Sequence, residues 1–137
     1  HSKQTLGFRF KDYPTVVLRF DAETSSRPLA LMITRIEKNL HGVGQSQRKT
    51  NKNNIRKGEK NTAHLTGQEW ISVEKMQGKN GISALWEHTG TARNNKDPLI
   101  GFEVDSGYSS FGNDSSSLER AEALMLYESI ISSIRKF

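Results

Sequence analysis

The chain is 137 residues long, carries 20 Lys and Arg against 15 Asp and Glu, and contains no cysteine. This length suits one domain with its own core, and the lack of cysteine excludes disulfide frameworks and thiolate metal sites. The net charge of +5 permits acidic proteins, nucleic acid or anionic surfaces as partners without selecting one of them.

The first part of the chain is predicted to form a strand and then a helix. β-Branched and aromatic residues in segments 8–10 and 15–21 are typical of one strand. Pro28 suits the first turn of a helix because its missing N–H costs nothing there. Apolar residues then recur at helical spacing and predict a buried stripe: Leu29, Met32, Ile33, Ile36 and Leu40.

The remainder is predicted to form strands and a closing helix. Residues 44–54 are almost all polar, which indicates a loop. Further strands are predicted at residues 55–65, 70–73, 82–88 and 99–105. Lys79-Asn80-Gly81 is a turn signal that joins two of them as a hairpin. The final helix is expected to begin at Ser117 and to bury a face that includes Ala123 and Tyr127.

This order of elements predicts an α+β fold. Consecutive strands with short connections pair antiparallel, and helices cover a sheet by packing on it. We therefore expect an antiparallel sheet of about four to five strands with two helices packed on one face, in a single domain over residues 1–137. Because the chain opens at His1 with neither an initiator Met nor a signal peptide, we expect a fragment or processed product.

No catalytic, metal or cofactor site is predicted. The histidines are isolated in sequence, as a surface or edge-strand histidine would be: His1, His41, His64 and His88. The segment 107–112 approaches a Gly-x-Ser-x-Gly nucleophile pattern but has one residue too many. Four carboxylates offer a hydrolase alternative, although pairing with Lys or Arg is the ordinary expectation: Glu69, Glu87, Glu103 and Asp105.

A basic segment supplies the candidate partner-binding residues, which are Arg48, Lys49, Lys52, Arg56 and Lys57. Such a segment steers association with an acidic partner, or it is a solvated loop. A nucleic-acid-binding accessory domain is the alternative function, but the segment has no interleaved aromatic residues on which bases stack. Trp70 and Trp86 are expected in the core rather than at an interface.

An ordered series of short motifs in the second half resembles a known family. The series comprises Arg56-Lys57-Gly58, Gly67-Gln68-Glu69, Leu85-Trp86-Glu87-His88-Thr89-Gly90, Asp105-Ser106-Gly107 and Ser132-Ser133-Ile134-Arg135. Over about residues 55–135 it resembles the C-terminal domain of the immunity proteins that neutralise lipase effectors of the bacterial type VI secretion system. The sequence differs from the family at Gln68, where a glutamate is usual, and at Tyr127, where a tryptophan is common.

The resemblance implies a periplasmic protein with two domains, of which this chain is the second, C-terminal one. Such a protein binds a phospholipase or lipase effector and blocks its lid opening or substrate access, without catalysis of its own. The resemblance implies neither a nucleic-acid partner nor a cofactor, and the longest apolar run is too short for a membrane span. The motif residues are expected to build the scaffold: Gly58, Gly67, Glu69, Trp86, Glu87, Gly90, Gly107, Ser133 and Arg135.

Overall fold

The computed structural model describes residues 2–9, 16–40, 54–76, 79–106 and 120–134. The elements are β1 (Ser2–Arg9), β2 (Val17–Thr24), α1 (Met32–Leu40), β3 (Asn54–Glu59), β4 (Gln68–Met76), β5 (Lys79–His88), β6 (Leu99–Asp105) and α2 (Arg120–Ser133). The strands form one sheet in the order β1-β2-β6-β5-β4-β3, and every neighbouring pair is antiparallel. The predicted α+β class is confirmed.

The sheet has six strands rather than four to five. The difference lies at the start of the chain, where β1 and β2 pair as separate strands with Leu6 opposite Phe20 and Phe8 opposite Leu18. The side chains of residues 3–8 are exposed on both sides of the sheet. Within β1 only Leu6 and Phe8 are large apolar residues, and this short alternation does not announce a separate strand, so the sequence indicated one strand where there are two.

One face of the sheet carries the main core, and α2 packs on it. Alternate residues of the four central strands point to this face, so that Ile71, Ala84 and Val104 are fully buried. Trp86 lies opposite Phe102 in the β5–β6 register, and Tyr127 of α2 stacks on Phe102 with 6.3 Å between ring centroids. We call this the α2 face.

Helix α1 lies on the other face, so the prediction that both helices share one face is wrong. The Gln68 side-chain Oε1 accepts a hydrogen bond from the Ile33 N–H of α1 at 3.0 Å. The next residue, Glu69, accepts one from the Tyr127 hydroxyl of α2 at 3.3 Å. Neighbouring residues of a strand point to opposite faces. The sequence did not show this because Trp70 and Ile71, which point to opposite faces, are both buried, so that neither face of the strand is marked as exposed.

Several element boundaries differ from prediction for local reasons. Helix α1 begins at Met32 rather than Pro28. Upstream of the helix, the Ser25 hydroxyl accepts a hydrogen bond from the Arg27 N–H. In the β4–β5 hairpin Met76 pairs with Lys79. The predicted turn residues Lys79-Asn80-Gly81 therefore belong to β5, and residues 77–78 lie outside the described residues. Strand β6 has the predicted bounds.

Candidate functional site

A network of charged and polar groups joins β3, β4 and α2. Arg56 donates from Nε to Glu69 Oε2 at 2.8 Å and from Nη2 to Oε1 at 2.9 Å. Its guanidinium also contacts the Glu128 carboxylate, which lies 2.9 Å from Lys60 Nζ. The hydrogen bonds to Glu69 raise the pKa of Arg56 above its ordinary value. Burial, reinforced by Glu69, raises the pKa of Tyr127. This network connects α2 to the neighbouring strands β3 and β4.

Lys57 is held on the opposite face of the sheet. Its ammonium lies 4.5 Å from the centroid of the Trp70 ring, a cation–π arrangement, and 3.3 Å from Glu37 Oε1 of α1. Arg56 and Lys57, two of the five candidate contact residues, therefore already have partners within the domain. The other three, Arg48, Lys49 and Lys52, lie outside the described residues.

A second arginine–glutamate pair lies on the α1 face. Arg35 of α1 contacts the carboxylate of Glu87 in β5, and Thr89 donates a hydrogen bond to the same carboxylate at 3.1 Å. Burial raises the pKa of Glu87 above its ordinary value, and Arg35 and Thr89 only partly offset this effect. The pair ties α1 to the middle of the sheet.

His88 bridges two loops at the end of β5. Its Nδ1 lies 2.7 Å from the Thr66 carbonyl oxygen and its Nε2 lies 2.8 Å from Asp97 Oδ1. Asp97 Oδ2 accepts a hydrogen bond from the Thr91 hydroxyl at 2.6 Å. His88 is thus largely buried on an interior strand rather than at the surface or on an edge strand. Within the described part of the chain no three His, Asp or Glu side chains are grouped as a metal site.

A concave apolar surface, which we call the β1–β2 groove, was not expected from the sequence. It has a volume of about 1040 Å³ and lies between the C-terminal half of α2 and strands β1, β2 and β6. Nearby Leu6 and Phe8 are 60% and 48% exposed. Their spacing of two residues was the available signal for an apolar strand face. The side chains that line the groove are Gln4, Leu6, Phe20, Asp21, Ala22, Asn95, Lys96, Pro98, Ile100, Ile130, Ser133 and Ile134.

Comparison with known protein families settles the relationship of the chain. The family described as the Tle cognate immunity protein 4 C-terminal domain matches residues 1–136. The chain belongs to this immunity-domain family. The resemblance noted over residues 55–135 is confirmed and extends to the N-terminal hairpin and α1. No curated protein matches the chain.

Solved structures share the fold of this immunity domain. The immunity protein TplEi of the type VI secretion system from Pseudomonas aeruginosa, complexed with "L" peptide, is 21% identical with a TM-score of 0.78. Its apo structure is 20% identical with a TM-score of 0.75, and a chain of the Tle4–Tli4 complex is 21% identical with a TM-score of 0.75. Each of these structures covers 98% of this chain. The chain itself spans only 44–47% of the length of each of them.

Two motif glycines of the immunity domain lie at close contacts. A Cβ on Gly67 would come within 2.5 Å of the Trp86 indole, whose Nε1 donates a hydrogen bond to the Lys60 carbonyl at 2.7 Å. Gly90 has a φ of +75°, and a Cβ there would lie 2.5 Å from the Asp97 carbonyl oxygen. Both positions therefore favour glycine for steric reasons.

The other motif residues are also engaged within the domain where the structure describes them. Glu69 and Glu87 form ion pairs with Arg56 and Arg35. Gly58 lies in β3. The Ser133 hydroxyl donates to the Ile130 carbonyl within α2 at 2.7 Å. Gly107 and Arg135 lie outside the described residues. Trp70 and Trp86 are each 1% exposed, so their predicted core placement is confirmed.

The four carboxylates considered for acid–base chemistry do not all share one face of the sheet. Glu69 points to the α2 face, whereas the strand alternation places Glu87, Glu103 and Asp105 on the α1 face. Glu69 and Glu87 are paired with arginines, and Glu103 lies 3.4 Å from Arg19. Ion pairing within the fold accounts for these three side chains.

Neither a membrane span nor a nucleic-acid site gains support. Among the residues that the structure describes, no helix combines the length and the apolar character needed to cross a bilayer. The described cations of the basic segment, Arg56 and Lys57, contact carboxylates, and so does the neighbouring Lys60. Neither the matching family nor the solved structures named above are described as nucleic-acid-binding.

Proposed function

We propose that this domain binds and neutralises a lipase or phospholipase effector of a type VI secretion system. The observation that carries the proposal is the match of almost the whole chain to the C-terminal domain of Tle cognate immunity protein 4. The fold agrees with it, because a chain of the Tle4–Tli4 complex has the same architecture.

The domain acts by occupying the surface through which the effector admits its substrate or opens its lid. It supplies no catalytic group, and the arginine-paired carboxylates Glu69 and Glu87 support a structural role for the acidic residues. It works in the periplasm, as the C-terminal part of a longer protein. The family description names a C-terminal domain, and the neighbouring structures are about twice as long.

The basic segment contributes long-range attraction to this association. Arg48, Lys49 and Lys52 are the candidates for this role, since Arg56 and Lys57 are already neutralised in part by carboxylates. Charges near an interface raise the association rate more than they lower the dissociation rate. An acidic patch on the effector is the matching surface.

The test uses the chain and the lipase encoded by the adjacent gene. We expect a stable complex in size-exclusion chromatography at micromolar concentration and a loss of lipase activity at stoichiometric addition. The same titration against a lipase from an unrelated secretion locus is the control and is expected to leave activity unchanged. Absence of a complex, or a complex that keeps full lipase activity, contradicts the proposal.

A further inference from the structure

His88 stands at the point where two loops of the domain meet. It is the last residue of β5, and its side chain is 12% exposed. Its Nδ1 lies 2.7 Å from the Thr66 carbonyl oxygen, and its Nε2 lies 2.8 Å from Asp97 Oδ1. One imidazole ring therefore joins residues 60–67, which we call the β3–β4 loop, to residues 89–98, which we call the β5–β6 loop.

Both atoms that face the His88 ring are hydrogen-bond acceptors. A carbonyl oxygen has no proton to donate, and neither has an ionised carboxylate. A neutral imidazole donates from one nitrogen and accepts at the other, so it can make only one of the two contacts. The imidazolium donates from both nitrogens and makes both. Because imidazole is a stronger base than a carboxylate, the proton between His88 Nε2 and Asp97 Oδ1 resides on the ring.

Each of the two loops is hydrogen-bonded within itself. In the β3–β4 loop the Thr62 N–H donates to the Leu65 carbonyl at 2.8 Å. In the β5–β6 loop the Thr91 N–H donates to the Asp97 carbonyl at 2.9 Å, and the Thr91 hydroxyl donates to Asp97 Oδ2 at 2.6 Å. Each loop is thus a small ordered unit, and the His88 ring fixes the position of one unit relative to the other.

A polar cavity of about 430 Å³ adjoins the ring between the two loops and the segment before α1. Among the described residues that line it, the titratable side chains other than His88 are Glu59 at the end of β3, Glu87 in β5 and Asp97. Glu87 is paired with Arg35 of α1, and burial raises its pKa. A test of His88 must therefore separate the titration of its ring from that of Glu87.

We propose that His88 is a proton-dependent clamp between the β3–β4 loop and the β5–β6 loop. With a proton on each ring nitrogen, His88 holds both loops. When the ring loses one of these protons it keeps its contact with one loop and releases the other, which loosens one wall of the cavity. The clamp is closed at low pH and opens as the pH rises through the titration of the ring. It belongs to the domain alone and does not depend on the effector.

Nuclear magnetic resonance of the isotope-labelled chain tests the clamp between about pH 5 and pH 9, a range that includes the charge change of ordinary histidines. The chemical shifts of the ring nitrogens report whether each carries a proton. We expect both nitrogens of His88 to be protonated at the low end of the range. As the ring titrates, the backbone order parameters of one loop should fall from about 0.85 toward about 0.6.

A neutral His88 ring at the low end of the pH range overturns the proposal. Loop order parameters that do not follow the titration of the ring also overturn it. Both results come from the wild-type chain, so the proposal is decided even where a variant fails to fold.

Asp97→Asn distinguishes the clamp from other titrations. A carboxamide can accept a hydrogen bond from the charged ring and donate one to the neutral ring, and the Thr91 hydroxyl can serve either orientation. We therefore expect both loops of this variant to stay ordered over the whole pH range. Glu87 and Arg35 are unchanged in it, so a pH response that survives in Asp97→Asn belongs to another group and overturns the proposal.

His64→Gln is the matched control. His64 is an exposed histidine in the same β3–β4 loop, and its removal is expected to leave the pH response of both loops unchanged. If the response disappears in His64→Gln, the exposed histidine and not His88 is responsible, and the proposal is overturned. Circular dichroism establishes that both variants are folded.

Discussion

Arg56 and Glu69 form a two-point ion pair between neighbouring strands, with hydrogen bonds of 2.8 and 2.9 Å. The two partners differ in environment: 46% of the Arg56 side chain is exposed, but only 3% of the Glu69 side chain. A buried carboxylate loses its hydration, and its partner must replace the lost interactions. Arg56 thus serves mainly to replace the hydration that the Glu69 carboxylate loses on burial.

Replacing Arg56 is expected to destabilise the domain more than replacing its second partner. Arg56→Met leaves the Glu69 carboxylate buried with the Tyr127 hydroxyl, and we expect the free energy of unfolding to fall by about 2 kcal/mol. This figure allows for the solvent exposure of Arg56. Glu128→Gln breaks the exposed contact and should cost less than about 1 kcal/mol. Urea unfolding measures both free-energy changes. Equal losses for the two variants would contradict the main role assigned to the Arg56–Glu69 pair.

The pH dependence of stability is expected to change in opposite directions for two glutamates. Burial raises the pKa of Glu87 above its ordinary value of 4.5. The folded state therefore keeps this proton after the unfolded state has released it, and stability falls as pH rises above about 4.5. For Glu128, burial opposes the effect, but hydrogen bonds from Lys60 and Arg56 lower the pKa. The stability that Glu128 contributes is present above about pH 4.5 and is lost as the pH falls.

Urea unfolding between about pH 3 and pH 7 separates the two effects. The stability of wild type relative to Glu87→Gln should decrease as pH rises from about 4.5. The stability of wild type relative to Glu128→Gln should decrease as pH falls below about 4.5. Parallel pH profiles for the two variants would show that one of the pKa directions is wrong.

Gly67→Ala is expected to disturb the Trp86 environment. The added Cβ would lie 2.5–2.6 Å from three atoms of the indole, which must then move away from its hydrogen bond to Lys60. Overpacking of this kind costs about 1–3 kcal/mol, with a shift in tryptophan fluorescence. Gly101→Ala is the control, because its new Cβ meets no atom closer than 3.7 Å and should change stability by less than about 0.5 kcal/mol. Similar losses for both variants would argue against the steric explanation.

The candidate cations of the basic segment are expected to act on the association rate with the effector. Neutralising Arg48, Lys49 and Lys52 to Gln should lower the rate about three- to tenfold at low salt, with little effect at high salt. A variant that loses three exposed cations elsewhere, at Arg27, Lys38 and Arg93, has the same net charge. If stopped-flow mixing gives both variants the same rate, net charge and not this segment is responsible.

The sequence predicted those parts of the fold that have a local signal. The segment of strand β6 alternates in part and follows turn residues, and it was predicted with its observed bounds. The assignment of α1 and α2 to opposite faces depends on the register of β4, and register is a tertiary property. The same holds for the site: Arg56 and Glu69 belong to recognised motifs, but their contact appears only when β3 is paired with β4. The β1–β2 groove combines residues from five parts of the chain, which no spacing rule connects.

The two outer strands of the sheet differ in their tendency to aggregate. Strand β3 has the sequence NIRKGE and carries charges along the edge, which discourages pairing with another chain. Strand β1 is longer and exposes Leu6 and Phe8. Self-association in concentrated solution should therefore start at β1.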